Sequence, residues 1–413
     1  MKKGKYKQRK ECRLCGSFNL ELFLDLGLTP LAGDYLLKKE LGKELYYPLR
    51  VYYCHNCSLV QLLDIVNQGT LFKDYRYLSS ISLAGHFQDY AKEMCERFLN
   101  KGSFVVEIGS NDGVLLVPLK EYEVRVLGVD PALNVAWVAR RKGIETIADY
   151  FTGQNAIQIV KQYGQADAIF ANNVLAHIDN MDEVFVGIQR LLKSEGILVF
   201  EVHYLVDLIE KLQYDFFYPG EHLSYYSLTS FIPFLDKYDM RIFDVKRIPI
   251  HAGSIRVYAC NKNQKRKETK QVVQYILQEK VQRYNTIKPL KDFATKVHSH
   301  KKKLIDFLLR LQSQNKKIVG YGAAGRGNTL LNVNGISIQI LPYIVDESPE
   351  RFGRFTPGTH IPIVRPEVFR KDNPDYALLL AWSYADTVLD KEMEFLKKGG
   401  KFIIPLPTIK ILP

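Results

Sequence analysis

The chain has 413 residues, 46% hydrophobic and 25% charged, with a formal net charge of +12. This is an ordinary globular composition, too long for one core, and it predicts two or three domains. It contains no apolar run long enough to span a bilayer, which excludes a membrane-spanning class of that kind, and no signal-peptide segment, so a cytoplasmic location is expected.

The basic residues gather in the first ten positions and between Asn261 and Lys317. Residues 1–10 are basic without being hydrophobic and are expected to be a disordered tail. For the later stretch a solvated helix face is the simpler reading; phosphate-bearing partners are the alternative.

Residues 11–82 read as a small zinc-binding module. Short strands are expected at Leu20 to Leu24, Tyr47 to Tyr53 and Leu59 to Leu62. Two C-x-x-C knuckles, Cys12/Cys15 and Cys54/Cys57, supply the four thiolates of a closed tetrahedral zinc site. About 38 residues separate the pairs, an insert that fits if both knuckles end hairpins. His55 lies inside the second knuckle, but four thiolates suffice, so the metal is assigned to folding and not to chemistry. Cys95 and Cys260 read as core thiols. Before a helix expected near Leu83, the segment FKDYRYLSSIS concentrates phenols and hydroxyls. Its serines are helix caps by default, and Tyr75, Tyr77 and Ser80 are candidates for facing a ligand.

Residues 83–260 alternate between strand and helix. Strands are expected at Phe104 to Val106, Val126 to Val129, Thr146 to Ala148, Ala168 to Ala171 and Gly196 to Val202, with helices at Phe87 to Phe98 and Val135 to Arg141. This pattern predicts an α/β fold with a doubly wound parallel sheet. The first strand ends in Glu107, and Gly109 and Gly113 frame the turn after it. About 20 residues on, the second strand ends in Asp130. A dinucleotide loop would read G-x-G-x-x-G; here the spacing is E-x-G-x-x-x-G, with Ser110 in the place of the second glycine. That loop resembles the S-adenosylmethionine (SAM) loop of class I methyltransferases, whose ligand brings no phosphate. The likeness implies that Glu107 and Gly109 through Asn111 to Gly113 surround the methionine part, that Asp130 holds the ribose, and that Asp149 lies near the adenine. Asn172, after the fourth strand, joins this set.

Three clusters could carry chemistry. The first is ANNVLAH, which ends in His177 and occupies the crevice position of an open sheet. The second, YPGEHLSYYS, packs Tyr218, Glu221 and His222 into five residues; a carboxylate beside an imidazole suits a general base, and a phenol suits an oxyanion. The third, HAGSIRVY, offers Ser254 and Arg256 to a phosphate, or is a hairpin edge.

Residues 261–315 are expected to form a charged helical connector with apolar spacing at Val273, Ile276, Leu277 and Val281. Residues 316–413 restart as a second Rossmann-like α/β unit. A strand at Lys317 to Val319 precedes GYGAAG, which satisfies G-x-G-x-x-G, and Asp346 follows a strand about 21 residues later. Gly322, Arg326 and Asn328 are the candidate contacts to a phosphorylated ligand.

These motifs occur in one order over nearly the whole chain, and the sequence resembles the SAM-dependent sugar C-methyltransferases of deoxysugar biosynthesis. The resemblance implies an N-terminal zinc module, a central SAM domain and a C-terminal nucleotide-sugar domain. It further implies C-methylation at C3 of a nucleoside-diphosphate 4-keto-6-deoxy sugar through an enolate. His222 would take the C3 proton, and Tyr218 and His177 would stabilise the enolate or hold a sugar hydroxyl. Glu221 would orient His222 or touch the sugar. Tyr75 or Tyr77 would line the pocket. The family's loop usually reads Y-H-E-H; here Tyr218-Pro219-Gly220-Glu221-His222 lacks the first histidine and sets the tyrosine one residue further from Glu221. Arg326 stands where the family often has lysine. Competing readings are an O-methyltransferase on a similar acceptor, a zinc-containing nucleic-acid protein and a nicotinamide oxidoreductase. The favoured one expects neither nucleic acid nor membrane as partner, and a monomer or weak homo-oligomer.

Overall fold

A computed structural model describes residues 2–67 and 78–413, apart from the side chains of residues 80–82. The N-terminal unit holds strands β1 (Lys2–Lys3), β2 (Tyr6–Gln8), β3 (Leu20–Pro30), β4 (Leu45–Cys54), β5 (Val60–Leu62) and β6 (Asp64–Val66). Tyr47, Leu49, Val51 and Tyr53 alternate inward along β4, the period of a strand with one buried face. The expected disordered tail is instead paired. β1 runs parallel to the start of β4, β2 runs antiparallel to β6, and Arg9 reaches Asp179 at 3.0 Å. Its lysines are exposed, as edge-strand charges usually are.

The central sheet has the order β13-β14-β11-β10-β7-β8-β9. Its members are β7 (Phe104–Ile108), β8 (Arg125–Val129), β9 (Thr146–Ile147), β10 (Ala166–Asn172), β11 (Leu192–His203), β13 (Met240–Ile248) and β14 (Ser254–Asn261). Pairing is parallel from β9 through β11, whereas β14 is antiparallel to both of its neighbours. The switch in strand order falls between β7 and β10, where an open sheet forms its crevice. The short strand β12 (Ser224–Tyr225) leaves this unit and pairs with β5 of the N-terminal sheet. The helix expected from Leu83 starts at Ser80 and runs to Arg97.

The C-terminal sheet has the order β17-β16-β15-β18-β19-β20 and is parallel apart from its last pair. It comprises β15 (Ile318–Tyr321), β16 (Ile344–Val345), β17 (Ile363–Val364), β18 (Tyr376–Leu379), β19 (Lys401–Ile404) and β20 (Lys410–Leu412).

The stretch expected to connect the halves is packed into them. Helix Ile287–Ser313 buries Leu290, Phe293, Val297, Leu304, Leu308 and Leu311 in a core shared with β3, β4 and the C-terminal unit. In helix Lys270–Val281 the expected apolar stripe is only partly turned inward: Ile276 packs against the central core, but Val273, Leu277 and Val281 are exposed, while Val272 and Glu279 are buried. Glu279 sets that rotation. It accepts the backbone N–H groups of Leu228 (2.8 Å) and Thr229 (2.9 Å), which the start of helix Leu228–Asp236 leaves without intrahelical partners. No helix among the described residues is long and apolar enough to cross a membrane.

Candidate active site

One cavity of about 890 Å³ opens at the carboxyl ends of β7, β8 and β10, with walls from all three units. Its first wall is the loop after β7. Gly109 (φ 67°), Asn111 (φ 48°) and Gly113 (φ 76°) all take left-handed backbone. A Cβ on Gly109 would stand 2.7 Å from the Val174 side chain. Asp130, at the end of β8, braces the loop: its Oδ2 accepts the N–H of Asn111 and its Oδ1 that of Ala132, each at 2.9 Å. Glu107 accepts from Asn172 Nδ2 at 2.9 Å, while its Oε2, Ser110 Oγ and Asn172 Oδ1 are buried without a hydrogen-bond partner among the described residues. Burial first, then Asp130, Glu201 and Asp112, push the Glu107 carboxyl up to about 8 against the pull of Asn172. Buried polar atoms are ordinarily satisfied, so three unsatisfied ones in one cradle fit a polar ligand with amino, carboxylate and ribose groups. Gly113 and Asp149 do not line the cavity. Gly113 packs near Ile144, and Asp149 turns to Asn155 Nδ2 at 3.2 Å while Tyr150 and Phe151 form the wall.

The second wall carries the histidines. His177 sits on the turn Leu175–His177 after β10, and its Nδ1 contacts the Glu221 carbonyl at 2.7 Å. Its ring lies 4.8 Å from that of His222, and His222 Nε2 is 3.3 Å from Tyr218 Oη. The displaced tyrosine therefore still reaches the histidine. Burial lowers His177 to about 4, and burial with three neighbouring histidines holds His222 well below its ordinary value. Both rings are neutral at physiological pH. Glu221 does not orient His222: its carboxyl has no hydrogen bond or ion pair among the described residues, and burial alone lifts it to about 7. His203 and His251 complete the wall, with the His203 ring tilted against Phe216 at a centroid distance of 3.8 Å. His203 was findable, because it ends a parallel strand on the crevice side.

The third wall comes from the C-terminal unit through Arg326, Arg351 and Arg354. Arg326 is held by both Asp215 oxygens, at 3.0 and 3.1 Å, and lies over Phe216 and Trp382. Asp346 accepts from Ala323 N–H (2.7 Å) and Arg351 (3.1 Å), so the acid of the second glycine loop braces that loop. Gly322 and Asn328 are not on the wall. A Cβ on Gly322 would meet Ala381 at 2.7 Å, and Asn328 donates to the Ala32 carbonyl, joining the C-terminal and N-terminal units. Arg351 and Arg354 escaped the sequence reading because they follow Asp346 in an irregular loop with no motif.

Ser254 and Arg256 are corrected outright. Ser254 donates to the Ile250 carbonyl, and Arg256 spends its guanidinium on Glu201 (2.7 Å) and Glu93 (2.9 Å) above the Tyr90 ring. Both are hairpin-strand residues, away from the cavity. Tyr75 and Tyr77 lie outside the described residues, and Ser80 begins its helix with a side chain that is not described.

The four knuckle cysteines are unpaired by disulfide, and their sulfurs lie within 4.8 Å of one another. The knuckles share a turn: Gly16 and Ser58 take left-handed backbone and donate to the carbonyls of Cys12 and Cys54. Sulfurs in contact without a bond suit four thiolates around zinc, whose bonds to sulfur are about 2.3 Å. His55 pairs with Glu21 at 2.9 Å and is not a ligand.

Comparison with known proteins matches three family models in chain order: a zinc binding domain (residues 12–72), a methyltransferase domain (74–244) and a C-methyltransferase C-terminal domain (249–407). C-methyltransferase NovU of Streptomyces niveus is 34% identical over 406 residues, covering 97% of this chain and 96% of that protein. Among solved structures, magnesium protoporphyrin IX methyltransferase of Synechocystis PCC 6803 with bound SAM is 13% identical over 44% of this chain and 80% of its own, with a TM-score of 0.33. A SAM-dependent methyltransferase of Clostridium acetobutylicum is 15% identical over 43% and 92%, with a TM-score of 0.34. The matched family models and the NovU relative make the chain a SAM-dependent methyltransferase, and the cysteine cluster a structural zinc site. With the relative's identity running through all three units, the chain belongs to the SAM-dependent C-methyltransferase family.

Proposed function

We propose that the enzyme methylates C3 of a nucleoside-diphosphate 4-keto-6-deoxy sugar. The observation that carries this reading is one shared cavity: the cradle suited to SAM, neutral histidines, a carboxyl without a hydrogen bond among the described residues, and arginines from a second nucleotide-type unit face one space. When bound, SAM supplies an electrophilic methyl group. The chain's own residues must make a carbon nucleophile. A ketone at C4 acidifies the C3 hydrogen; the proton passes to the His222 imidazole, and the electron pair delocalises onto the ketone oxygen. Tyr218, beside His222, donates to that oxyanion. His177 has a different task. A carbonyl can only accept, so His177 Nδ1 carries the ring proton toward Glu221, and the neutral ring faces the acceptor space, where it suits a sugar hydroxyl. Arg351 and Arg354 suit the diphosphate.

A second reading makes Glu221 the base, favoured by a carboxyl with no hydrogen bond among the described residues and by its value of about 7, near physiological pH. Purified protein, SAM and a panel of nucleoside-diphosphate 4-keto-6-deoxy sugars decide between them. The expected product carries a new methyl on carbon, and solvent deuterium enters C3 of the bound ketone. Loss of exchange in His222→Ala but not Glu221→Gln assigns the base to His222; the reverse assigns it to Glu221. A methyl on oxygen, or transfer without exchange, sinks the enolate mechanism.

A further inference from the structure

Both histidine loops are tied to one side chain of the zinc knuckle. Arg13 lies between Cys12 and Leu14, and its side chain is fully buried. Its Nη1 donates to the Leu223 carbonyl at 3.0 Å, the residue after His222. Its Nε donates to Asp179 Oδ1 at 3.2 Å, two residues after His177. Nη1 also reaches Gln61 Oε1 at 3.3 Å, and Nη2 donates to the Leu62 carbonyl at 3.0 Å, both on β5. The two loops also touch each other directly, where Leu223 N–H donates to the Ala176 carbonyl and His177 Nδ1 to the Glu221 carbonyl, each at 2.7 Å. β12 then docks on β5, with Ser224 opposite Gln61.

We infer that Arg13 is a positioning residue that fixes the separation of His177 and His222, so that the zinc knuckle belongs to the geometry of the acceptor site as well as to the fold. The guanidinium fork explains the choice of side chain. A planar group with donors on three nitrogens can hold two loops and a strand at set angles, which an ammonium on a flexible stem cannot. Burial keeps water from substituting for those donors. Three acceptors are fixed on a strand and a loop turned toward it, and the fourth is a carboxylate shared with Arg9. The inference rests on the reading that His177 and His222 face the acceptor.

The test uses the full-length zinc-loaded protein as Arg13→Lys and Arg13→Met. Zinc content and SAM affinity are measured first; then kcat and KM for the acceptor are obtained. Ring-nitrogen NMR of labelled histidines is recorded without acceptor. The expected result is zinc retained, SAM affinity within about twofold, kcat lowered about ten- to a hundredfold with Arg13→Lys the milder, and displaced His177 and His222 signals. Unchanged histidine signals with unchanged kcat overturn the proposal. So does loss of zinc or SAM binding in step with activity, or failure of both variants to fold, since each makes Arg13 a fold residue alone. Should the sugar reading fail, the unsubstituted protein shows no turnover, and the histidine signals still decide the role of Arg13.

Discussion

Glu107 shows how one residue can serve a ligand at the expense of the empty protein. Its carboxyl is buried, and its value of about 8 lies above the ordinary 4.5. The folded chain therefore keeps a proton that the unfolded chain releases between those values. The stability this group contributes is full below about 4.5 and is lost as pH rises through about 8. His177 and His251, lowered to about 4, act with the opposite sign: their contribution is full above 6.5 and is lost as pH falls through about 4. Glu107→Gln mimics the protonated acid. Its thermal midpoint without ligand should fall less than that of the unsubstituted protein between about pH 5 and about pH 8.5. SAM binding in the same variant should weaken about tenfold or more at the alkaline end, where the native carboxylate is ionised. Thermal scans across pH with a calorimetric titration of SAM read both effects, and equal slopes in the two proteins would show that the group is not protonated in the fold.

At the scale of elements, strands were more legible than the faces of helices. β7, β8 and β10 appear in the sequence as short apolar runs ending in acid or amide, because a strand buried on both faces needs an unbroken apolar stretch. Helix Lys270–Val281 was misread because the hydrogen bonds of buried Glu279 outweigh the apolar spacing of Val273, Leu277 and Val281. No local pattern announces a carboxylate that caps a helix some 50 residues upstream. The first ten residues looked unstructured for a related reason: their pairing partners, β4 and β6, are distant in sequence. The knuckles and the Tyr218 to His222 loop were readable because their spacing is local, whereas Arg351 and Arg354 owe their place to packing of the third unit. Arg256 is the case in which residue type misled, since Gly-Ser-x-Arg suits a phosphate and the sheet instead places the arginine between Glu93 and Glu201. Arg256→Met should therefore cost about 3 kcal/mol of stability, the penalty of removing the guanidinium from buried Glu201, which keeps only His86 as a side-chain partner among the described residues. The acceptor KM of the folded fraction should stay where it was. Denaturant melts with steady-state kinetics check this, and a raised KM at full stability would restore Arg256 to the site.

At the scale of the whole molecule the C-terminal unit is tied to the central one beside the cavity, and Asp215 is one of those ties. The residue is fully buried on the turn Tyr214–Phe216 and accepts Arg326 Nε and Nη2 and Trp382 Nε1, at 3.1, 3.0 and 2.8 Å. Beside it Tyr214 Oη contacts Asn334 and His300, so the whole turn is keyed into the far unit. Arg326, at the start of helix Gly325–Asn334, lines the cavity from the C-terminal unit, the side proposed for the acceptor, whereas the cradle proposed for SAM is built at the ends of β7, β8 and β10. The two halves of the reaction should therefore separate at this contact. Asp215→Asn keeps the shape of the side chain and removes the charge that holds the guanidinium fork. Arg326 then loses its fixed direction, and the acceptor KM should rise about tenfold while SAM affinity stays within about twofold. Titration of SAM and steady-state kinetics with the acceptor make the separation visible. A parallel loss of both affinities would mean that Asp215 holds the fold of the central unit and does not set the angle at which the second unit meets the acceptor.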